Sequence, residues 1–331
     1  MADFYKIVID TEGSDKGPEM IIRGAAMALA AYPKLAVLLV GKEELVRAEC
    51  ERCGIEIGER VEILDARDAI TNYDSPAAAV FGKPDSTLVK ALTALSERDD
   101  LKGIINAGST GALIAGAVRH LSTPDRTRPA LSAILPAEGG GFTCLVDTGA
   151  TIDCTPEMLL HFARLGSAFM KQYYAIENPR IGLLSNGAEP TKGNKVVKEA
   201  HALLAKAGEL NFIGNVEGTG ALSGSSDVLV CDGFAGNQVL KVTEGIARRI
   251  ITDIVKYSKK TGDESIMKLV GYLMGIYDFN SLGGGILLGT KKPVIKAHGA
   301  ANEKSIASCI GIMLNMLENK AIFDESALLV K

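Results

Sequence analysis

The stretch that decides the fold runs from Gly103 to Leu121 and reads GIINAGSTGALIAGAVRHL. It begins as a short apolar strand, continues through the polar segment 106–111, and then repeats small and apolar residues with a helical period. This order predicts a strand, a tight turn and a helix N-terminus. Because the first turn of a helix carries unpaired backbone N–H groups and partial positive charge, phosphate is a natural ligand there.

The residues of this turn suit an anion. Gly108 and Gly111 let the backbone approach a ligand closely. Ser109 and Thr110 can cap the helix or donate their hydroxyls, and Asn106 adds an amide. The alternative is that the glycines only make a turn and a close helix-to-sheet contact. Neither G-x-x-x-x-G-K-[ST] nor a strand followed by G-x-G-x-x-G occurs, which argues against nucleotide hydrolysis and ordinary dinucleotide binding.

Composition bounds the class of protein. The chain has 331 residues, of which 47% are hydrophobic, and a formal charge of -4. This length and apolar content are enough for a large core. The negative charge and the 5% aromatic content without Trp argue against nucleic acid as a partner. No stretch approaches the roughly 18 apolar residues of a membrane span, so we expect a cytoplasmic protein.

The six cysteines are scattered along the chain. Cys50 and Cys53 form a C-x-x-C pair, but no second pair and no nearby His completes a zinc site. We therefore expect reduced thiols, no metal and no cofactor. A redox role for this pair is the alternative, although the pair closes a helix rather than opening one, where a thiolate would be stabilised.

Apolar runs and helical periods alternate before the organising stretch. KIVID at 6–10, KLAVLLV at 34–40 and VEIL at 61–64 predict three strands separated by helices, and hence a mostly parallel sheet. Runs at 131–135 and 142–147, joined by three glycines, predict an antiparallel hairpin.

Polar, glycine-bearing loops follow four of the predicted strands. Ligands of open α/β sheets bind beyond the carboxyl ends of strands, so we predict a site shared among these loops. Of the four histidines, only His298 lies in a loop, and it receives a predicted site role. We assign caps or packing to His120, His161 and His201.

Further motifs follow in order along the chain: RPAL (128–131), DTGATIDCTPE (147–157), KGN (192–194), NFIGNVEG (211–218), VCDGFAGNQVLK (230–241) and PVIKAHG (293–299). With NAGSTGAL (106–113), they resemble the bacterial phosphate acyltransferases of phospholipid synthesis, the PlsX family, over nearly the whole chain. The sequence looks like a divergent member, because the family's D-A-M-G-G-D reads DTEGSD here. Glu12 and Ser14 are the departures, and a carboxylate near bound phosphate would repel it.

The resemblance implies an isocitrate dehydrogenase-like α/β fold, three-layer α/β/α with one large mixed, mostly parallel sheet. It implies a single domain over residues 1–331. Apolar residues at helical spacing in 236–278 predict a projecting helical hairpin, which we expect to form the interface of a homodimer. The activity implied is transfer of a fatty acyl group from acyl-acyl carrier protein to inorganic phosphate, giving acyl phosphate.

Carried onto matching positions, the resemblance implies catalytic roles for Lys192, Asn237, His298 and Asp232. It implies substrate or phosphate binding by Asp10, Asp15, Lys83, Ser86, Asn106, Thr110, Asp153 and Asn215, to which the chemistry of the turn adds Gly108, Ser109 and Gly111. The hypothesis is that the amides of 106–111 and Lys192 hold phosphate, while Asn237 or His298 faces the developing oxyanion.

Two alternatives stay open: a coenzyme A-dependent phosphate acyltransferase of the same fold, and a catalytically weak homologue that binds acyl carrier protein. The basic pairs at 248–249, 259–260 and 291–292 could dock an acidic carrier protein or simply be solvated. A glycerol-phosphate acyltransferase is the candidate downstream partner. In the family the hairpin tip is thought to touch the membrane, but the tip here, 256–265, is polar, so we expect weak, salt-sensitive peripheral contact at most.

Overall fold

The computed structural model describes residues 4–122, 127–277 and 284–319. The chain forms two compact units. Unit 1 comprises Met1–Leu131, Gln172–Ala175 and Asn280–Lys331, and unit 2 comprises Ser132–Lys171 and Ile176–Phe279.

The strands of the described residues are β1 (Tyr5–Asp10), β2 (Leu35–Gly41), β3 (Val61–Asp65), β4 (Leu101–Asn106), β5 (Ala130–Pro136), β6 (Phe142–Val146), β7 (Arg180–Leu184), β8 (Asn211–Val216), β9 (Val228–Val230), β10 (Gly285–Leu288) and β11 (Val294–Lys296). The α-helices are α1 (Pro18–Ala31), α2 (Glu43–Arg52), α3 (Pro76–Gly82), α4 (Thr87–Glu97), α5 (Thr110–His120), α6 (Pro156–Tyr173), α7 (Lys195–Leu204), α8 (Gly233–Thr261), α9 (Ile266–Tyr277) and α10 (Glu303–Glu318).

The strands of unit 1 lie in the order β3-β2-β1-β4-β11-β10. Neighbouring strands are parallel except β10, which is antiparallel to β11. All seven residues of β2 are buried, as expected for a strand of a parallel sheet covered on both faces. Helices α1 and α10 pack so closely that a Cβ on Gly24 would lie 2.5 Å from Ile306 Cβ, which explains the glycine.

The strands of unit 2 lie in the order β5-β6-β9-β7-β8. The pair β5 and β6 is antiparallel, which confirms the predicted hairpin, and the other pairs are parallel. Helix α6 packs against β9, where a Cβ on Gly166 would lie 2.6 Å from Val228 Cγ1. Helices α8 and α9 pack against each other. Asp278, the end of the predicted hairpin segment, lies outside the described residues.

The predicted α/β class with a mixed, mostly parallel sheet is confirmed. The strand, turn and helix expected at 103–121 are β4, the turn before Thr110, and α5. Strand β10 and helix α10 are not predicted by the sequence analysis. Among the residues that the structure describes, no helix combines the length and apolar character needed to cross a bilayer.

Candidate active site

Three adjacent strands of unit 1, β1, β4 and β11, end in polar residues. Asn106 at the end of β4 donates from Nδ2 to Oδ2 of Asp10, at the end of β1, over 2.8 Å. Asn106 Oδ1 accepts from the backbone N–H of Gly108 at 3.0 Å. Both side chains are almost completely buried. The Asn106 carboxamide therefore joins the two strand ends and fixes the turn that leads into α5.

The Asp10 carboxyl has unusual electrostatics. Burial raises the pKa of Asp10 from 3.8 to about 6, and the nearby Glu12 carboxylate adds a smaller increase. Hydrogen bonds from the Thr87 hydroxyl, the Glu12 N–H and the Asn106 amide oppose that increase. The sequence analysis did not select Thr87, although it directly follows the candidate Ser86 at the start of α4. The carboxyl consequently takes up a proton in mildly acidic solution.

The start of α5 offers unpaired donors. Ser109 is the N-cap, and its hydroxyl accepts from the Ala112 N–H at 3.5 Å. The N–H groups of Ser109, Thr110 and Gly111 have no hydrogen-bond partner among the described residues. These three donors and the positive end of the helix dipole form an arrangement that can bind an anion.

The loop after β1 lies directly on this turn. Gly13 has φ +84°, and a Cβ added to it would lie 2.6 Å from Gly108 Cα. Glu12, one residue earlier, is half-buried, and burial raises the pKa of its carboxyl. The carboxylate that distinguishes this chain from the D-A-M-G-G-D pattern thus belongs to the loop that contacts the turn before α5.

Asp15 and His298 are brought together by their loops. The Asp15 N–H donates to Gly299 O at 3.0 Å, and both side chains are exposed. His298 Nδ1 accepts from the Ala300 N–H at 3.3 Å, so Nε2 carries the proton of the neutral ring.

Lys83 and Ser86 are engaged within their own segment of unit 1. Lys83 Nζ contacts Asp74 Oδ2 at 3.0 Å and Ala69 O at 3.1 Å. The Ser86 hydroxyl is buried and donates to Lys83 O at 2.8 Å. Both predicted ligands therefore already have protein partners within their own segment.

In unit 2, β6, β9, β7 and β8 are adjacent and parallel, so the loops after them share one edge of the sheet. After β6, the buried Asp147 carboxylate accepts from the N–H groups of Gly149, Ala150 and Thr151 at 3.2, 3.1 and 2.6 Å. This folds the loop that carries Asp153, which is exposed and has no hydrogen bond to a described residue. Asp147 is therefore structural.

The loop after β9 begins α8. Asp232 is the N-cap of this helix, and its Oδ1 accepts from the Ala235 N–H at 2.7 Å. Asn237 lies in the second turn and is half-buried. Its carboxamide has no hydrogen-bond partner among the described residues, so it can bind a substrate oxygen.

The loop after β7 presents Lys192. Its ammonium is exposed and forms no ion pair within the described part of the chain. The loop is held from inside, because Asn215 Nδ2 donates to Glu189 O at 2.8 Å while the Lys192 N–H donates to the same oxygen at 3.0 Å. Asn215 Oδ1 also pairs with His201 Nδ1 at 2.9 Å. The Asn215 side chain thus supports the loop rather than facing outward.

The thiols of Cys144, within β6, and Cys231, directly after β9, are poor nucleophiles. Burial raises the pKa of Cys144 to about 12 and raises that of Cys231 well above its usual range. Both therefore stay protonated at neutral pH.

The whole chain is also similar to known proteins. A family described as "Fatty acid synthesis protein" matches residues 5–323. A phosphate acyltransferase of Clostridium novyi is 35% identical over 323 residues, which make up 96% of each chain. One of Clostridium acetobutylicum is 38% identical over 328 residues, again 96% of each chain.

Among solved structures, a phosphotransacetylase from Streptococcus pyogenes matches 96% of this chain and 94% of its own, with a TM-score of 0.64 and 19% sequence identity. This likeness shows a common fold. Because a family profile and full-length relatives both match it from end to end, the chain belongs to the fatty acid synthesis protein family, whose members include these phosphate acyltransferases.

Proposed function

We propose that this chain is a phosphate acyltransferase that moves a fatty acyl group from acyl-acyl carrier protein to inorganic phosphate, giving acyl phosphate for phospholipid synthesis. The observation that carries the proposal is the full-length match to phosphate acyltransferases. The unpaired donors at the strand ends are what such a reaction requires.

The chemistry needs no covalent enzyme intermediate. An oxygen of hydrogen phosphate attacks the thioester carbonyl carbon, a tetrahedral oxyanion forms, and the C–S bond then breaks to release the thiolate, which takes a proton from solvent. Because a thiol has a pKa near 8.5, the thiolate is a tolerable leaving group. The protein must orient a dianion and stabilise the oxyanion. The protonated state of Cys144 and Cys231 fits this direct route.

In unit 1 the proposal gives the N–H groups of Ser109, Thr110 and Gly111 the role of phosphate ligands. Asn106 and Asp10 position them, because their hydrogen bonds fix the Gly108 amide and hence the turn. Gly108 itself supplies no donor, since its N–H is paired with Asn106. Asp15, Lys83, Ser86 and His298 stay candidates for contact with substrate.

In unit 2 the proposal gives Lys192 the role of compensating negative charge and Asn237 that of donating to the oxyanion. Asp232 positions Asn237 by capping α8, and Asn215 positions Lys192 through the carbonyl of Glu189. Asp153 stays a candidate contact, and His298 of unit 1 is the alternative oxyanion donor.

Purified protein incubated with palmitoyl-acyl carrier protein or palmitoyl-coenzyme A, with and without phosphate, tests the proposal. Hydroxylamine traps acyl phosphate as a hydroxamate that can be quantified. We expect hydroxamate only with phosphate and with the carrier-protein thioester. Product from coenzyme A alone would assign the other donor. Binding of the carrier protein without any product would favour the non-catalytic homologue.

The proposal includes a homodimer formed through α8 and α9. Val242, Ile246 and Ile250 recur along α8 and are about half exposed, a large apolar surface for one chain in water. We expect sedimentation as a dimer at micromolar concentration. Ile250→Glu should shift it to monomer, while Thr252→Glu, also exposed on α8, should not. A wild-type monomer would contradict the dimer.

Membrane contact in this proposal is peripheral. Lys256, Lys259 and Lys260 precede Asp263 and Glu264 at the end of α8, so attraction to anionic lipid is weak. Vesicle flotation should lose binding at high salt, and salt-resistant binding to neutral vesicles would contradict this assignment.

A further inference from the structure

A groove lies between α7 and strand β8 in unit 2, with a volume of about 470 Å³. Leu204, Leu210 and Phe212 contribute apolar side chains to it, and none of its lining residues is Lys, Arg, Asp or Glu. Its only histidine, His201, is paired with Asn215 through Nδ1 at 2.9 Å. Apart from this histidine, no residue with an ionisable side chain lines the groove.

The groove also borders a free sheet edge. Strand β8 is the last in the unit 2 order and pairs with β7 alone among the described strands. Ile213 is an extra residue in the β7–β8 pairing, since Ile181 pairs with Phe212 and Gly182 with Gly214. An edge strand carries backbone N–H and C=O groups without strand partners. Apolar side chains thus lie beside groups that can bind amides.

The groove is continuous with the loop that presents Lys192. Ala188 and Pro190 of that loop belong to its lining. Between them, Glu189 O accepts from Asn215 Nδ2 at 2.8 Å and from the Lys192 N–H at 3.0 Å. The loop that carries the proposed catalytic ammonium therefore forms part of the groove wall.

We propose that this groove binds the pantetheine arm of the thioester donor, an inference that rests on the proposed function. The arm is uncharged, has two amide groups and carries short alkyl segments. Its amides match the backbone groups of the β8 edge, in the manner of strand addition, and its alkyl segments match Leu210 and Phe212. A fatty acyl chain has no group for the backbone donors and acceptors. The arm is shared by carrier-protein and coenzyme A donors.

The test fills the groove and varies the arm and the acyl chain independently. Ala205, the residue directly after α7, lines the groove and is exposed. Ala202, in the last turn of α7, is also exposed but does not line the groove, so Ala205→Trp and Ala202→Trp form a matched pair. Each variant is assayed for acyl phosphate formation with butyryl and octanoyl thioesters of pantetheine and of N-acetylcysteamine, which keeps only the end of the arm.

Because a remote part of a substrate supplies binding energy for catalysis, we expect Ala205→Trp to lower kcat/KM for both pantetheine thioesters by about tenfold or more. The N-acetylcysteamine thioesters should change less than about twofold, as should every donor with Ala202→Trp. Ala205→Phe replaces Ala205→Trp if thermal melting shows that the larger residue prevents folding.

Two results would overturn the assignment. If the loss of kcat/KM grows with acyl length and is the same for the pantetheine and N-acetylcysteamine thioesters, the groove binds the acyl chain instead. If Ala205→Trp loses no kcat/KM with any donor, the groove does not bind the donor. Phosphate-dependent turnover by the same protein would still support the proposed function. If wild type makes no acyl phosphate at all, the proposed function fails, and saturation-transfer NMR with 4′-phosphopantetheine tests the groove alone. Binding to wild type and Ala202→Trp but not Ala205→Trp supports it, and any other pattern refutes it.

Discussion

The buried carboxyl of Asp10 gives a prediction that can be worked out from the structure. It is 2% exposed, and burial raises its pKa from 3.8 to about 6. A carboxyl whose pKa is higher in the folded state holds its proton more tightly there. Its stabilising contribution is therefore complete below pH 3.8 and is lost as the pH rises through about 6.

The magnitude follows from the two pKa values. Protonation of Asp10 adds about 3 kcal/mol in full to the free energy of unfolding. About 1.4 kcal/mol of this is gained when the pH falls from 8 to 5. Asp10→Asn has no proton to take up, so its free energy of unfolding should lack this gain. Other titrating groups contribute to both proteins and cancel in the comparison.

Urea unfolding at pH 5 and pH 8 measures the effect. We expect acidification to favour wild type over Asp10→Asn by about 1.4 kcal/mol. Asp99→Asn removes an exposed carboxylate from the same unit and should respond to pH as wild type does. A difference below about 0.4 kcal/mol between wild type and Asp10→Asn would refute the argument that burial controls this carboxyl.

Three further predictions concern the loops. Lys192→Ala should lower kcat/KM for acyl phosphate formation by about 100-fold without changing Tm. Lys195 is also exposed, and Lys195→Ala should change kcat/KM by less than about twofold. Near wild-type turnover of Lys192→Ala at limiting phosphate would remove Lys192 from the mechanism. Gly13→Ala should lower the free energy of unfolding by about 2 kcal/mol or more, and Gly54→Ala by about 1 kcal/mol. Both glycines have positive φ, but only Gly13 lacks room for a Cβ. Equal losses would contradict the close contact between Gly13 and Gly108. Glu12→Gln should lower KM for phosphate by about threefold, because it removes a carboxylate that repels phosphate from the loop that contacts the turn before α5. An unchanged KM would place phosphate elsewhere.

Much of the fold follows from local pattern. The apolar residues of the predicted runs, 7–9 and 35–40, are buried in β1 and β2 because a parallel sheet covered on both faces needs no polar alternation. The order of strands does not follow from such runs. Strand β4 lies between β1 and β11, a pairing that joins residues almost 200 positions apart. The sequence analysis does not predict helix α10, although Ile306, Ile310 and Met313 are buried on one face of it.

The residue types at the site were predictable, but their partners were not. A sequence shows that Asn106 follows a strand; it does not show that its carboxamide is shared between Asp10 and Gly108. Likewise, Lys83 reads as a cation available to phosphate, and the structure pairs it with Asp74 at 3.0 Å. These partners come from other parts of the chain, so only the folded arrangement reveals them.

The candidate residues form two groups, according to whether the side chain already has a hydrogen-bond or ion-pair partner, and mutation should affect stability in one group and turnover in the other. Buried polar side chains that already have hydrogen-bond partners, such as Asn106 and Asn215, hold loops in place. Losing one of these hydrogen bonds costs about 1 kcal/mol, and more where the partner left behind is buried. Groups without partners among the described residues, Lys192 and the Asn237 carboxamide, add little to stability and are free to meet a substrate. We therefore expect Asn215→Ala to lower Tm and Asn237→Ala to lower turnover at unchanged Tm. A loss of Tm with Asn237→Ala, or none with Asn215→Ala, would show that pairing does not separate support from catalysis here.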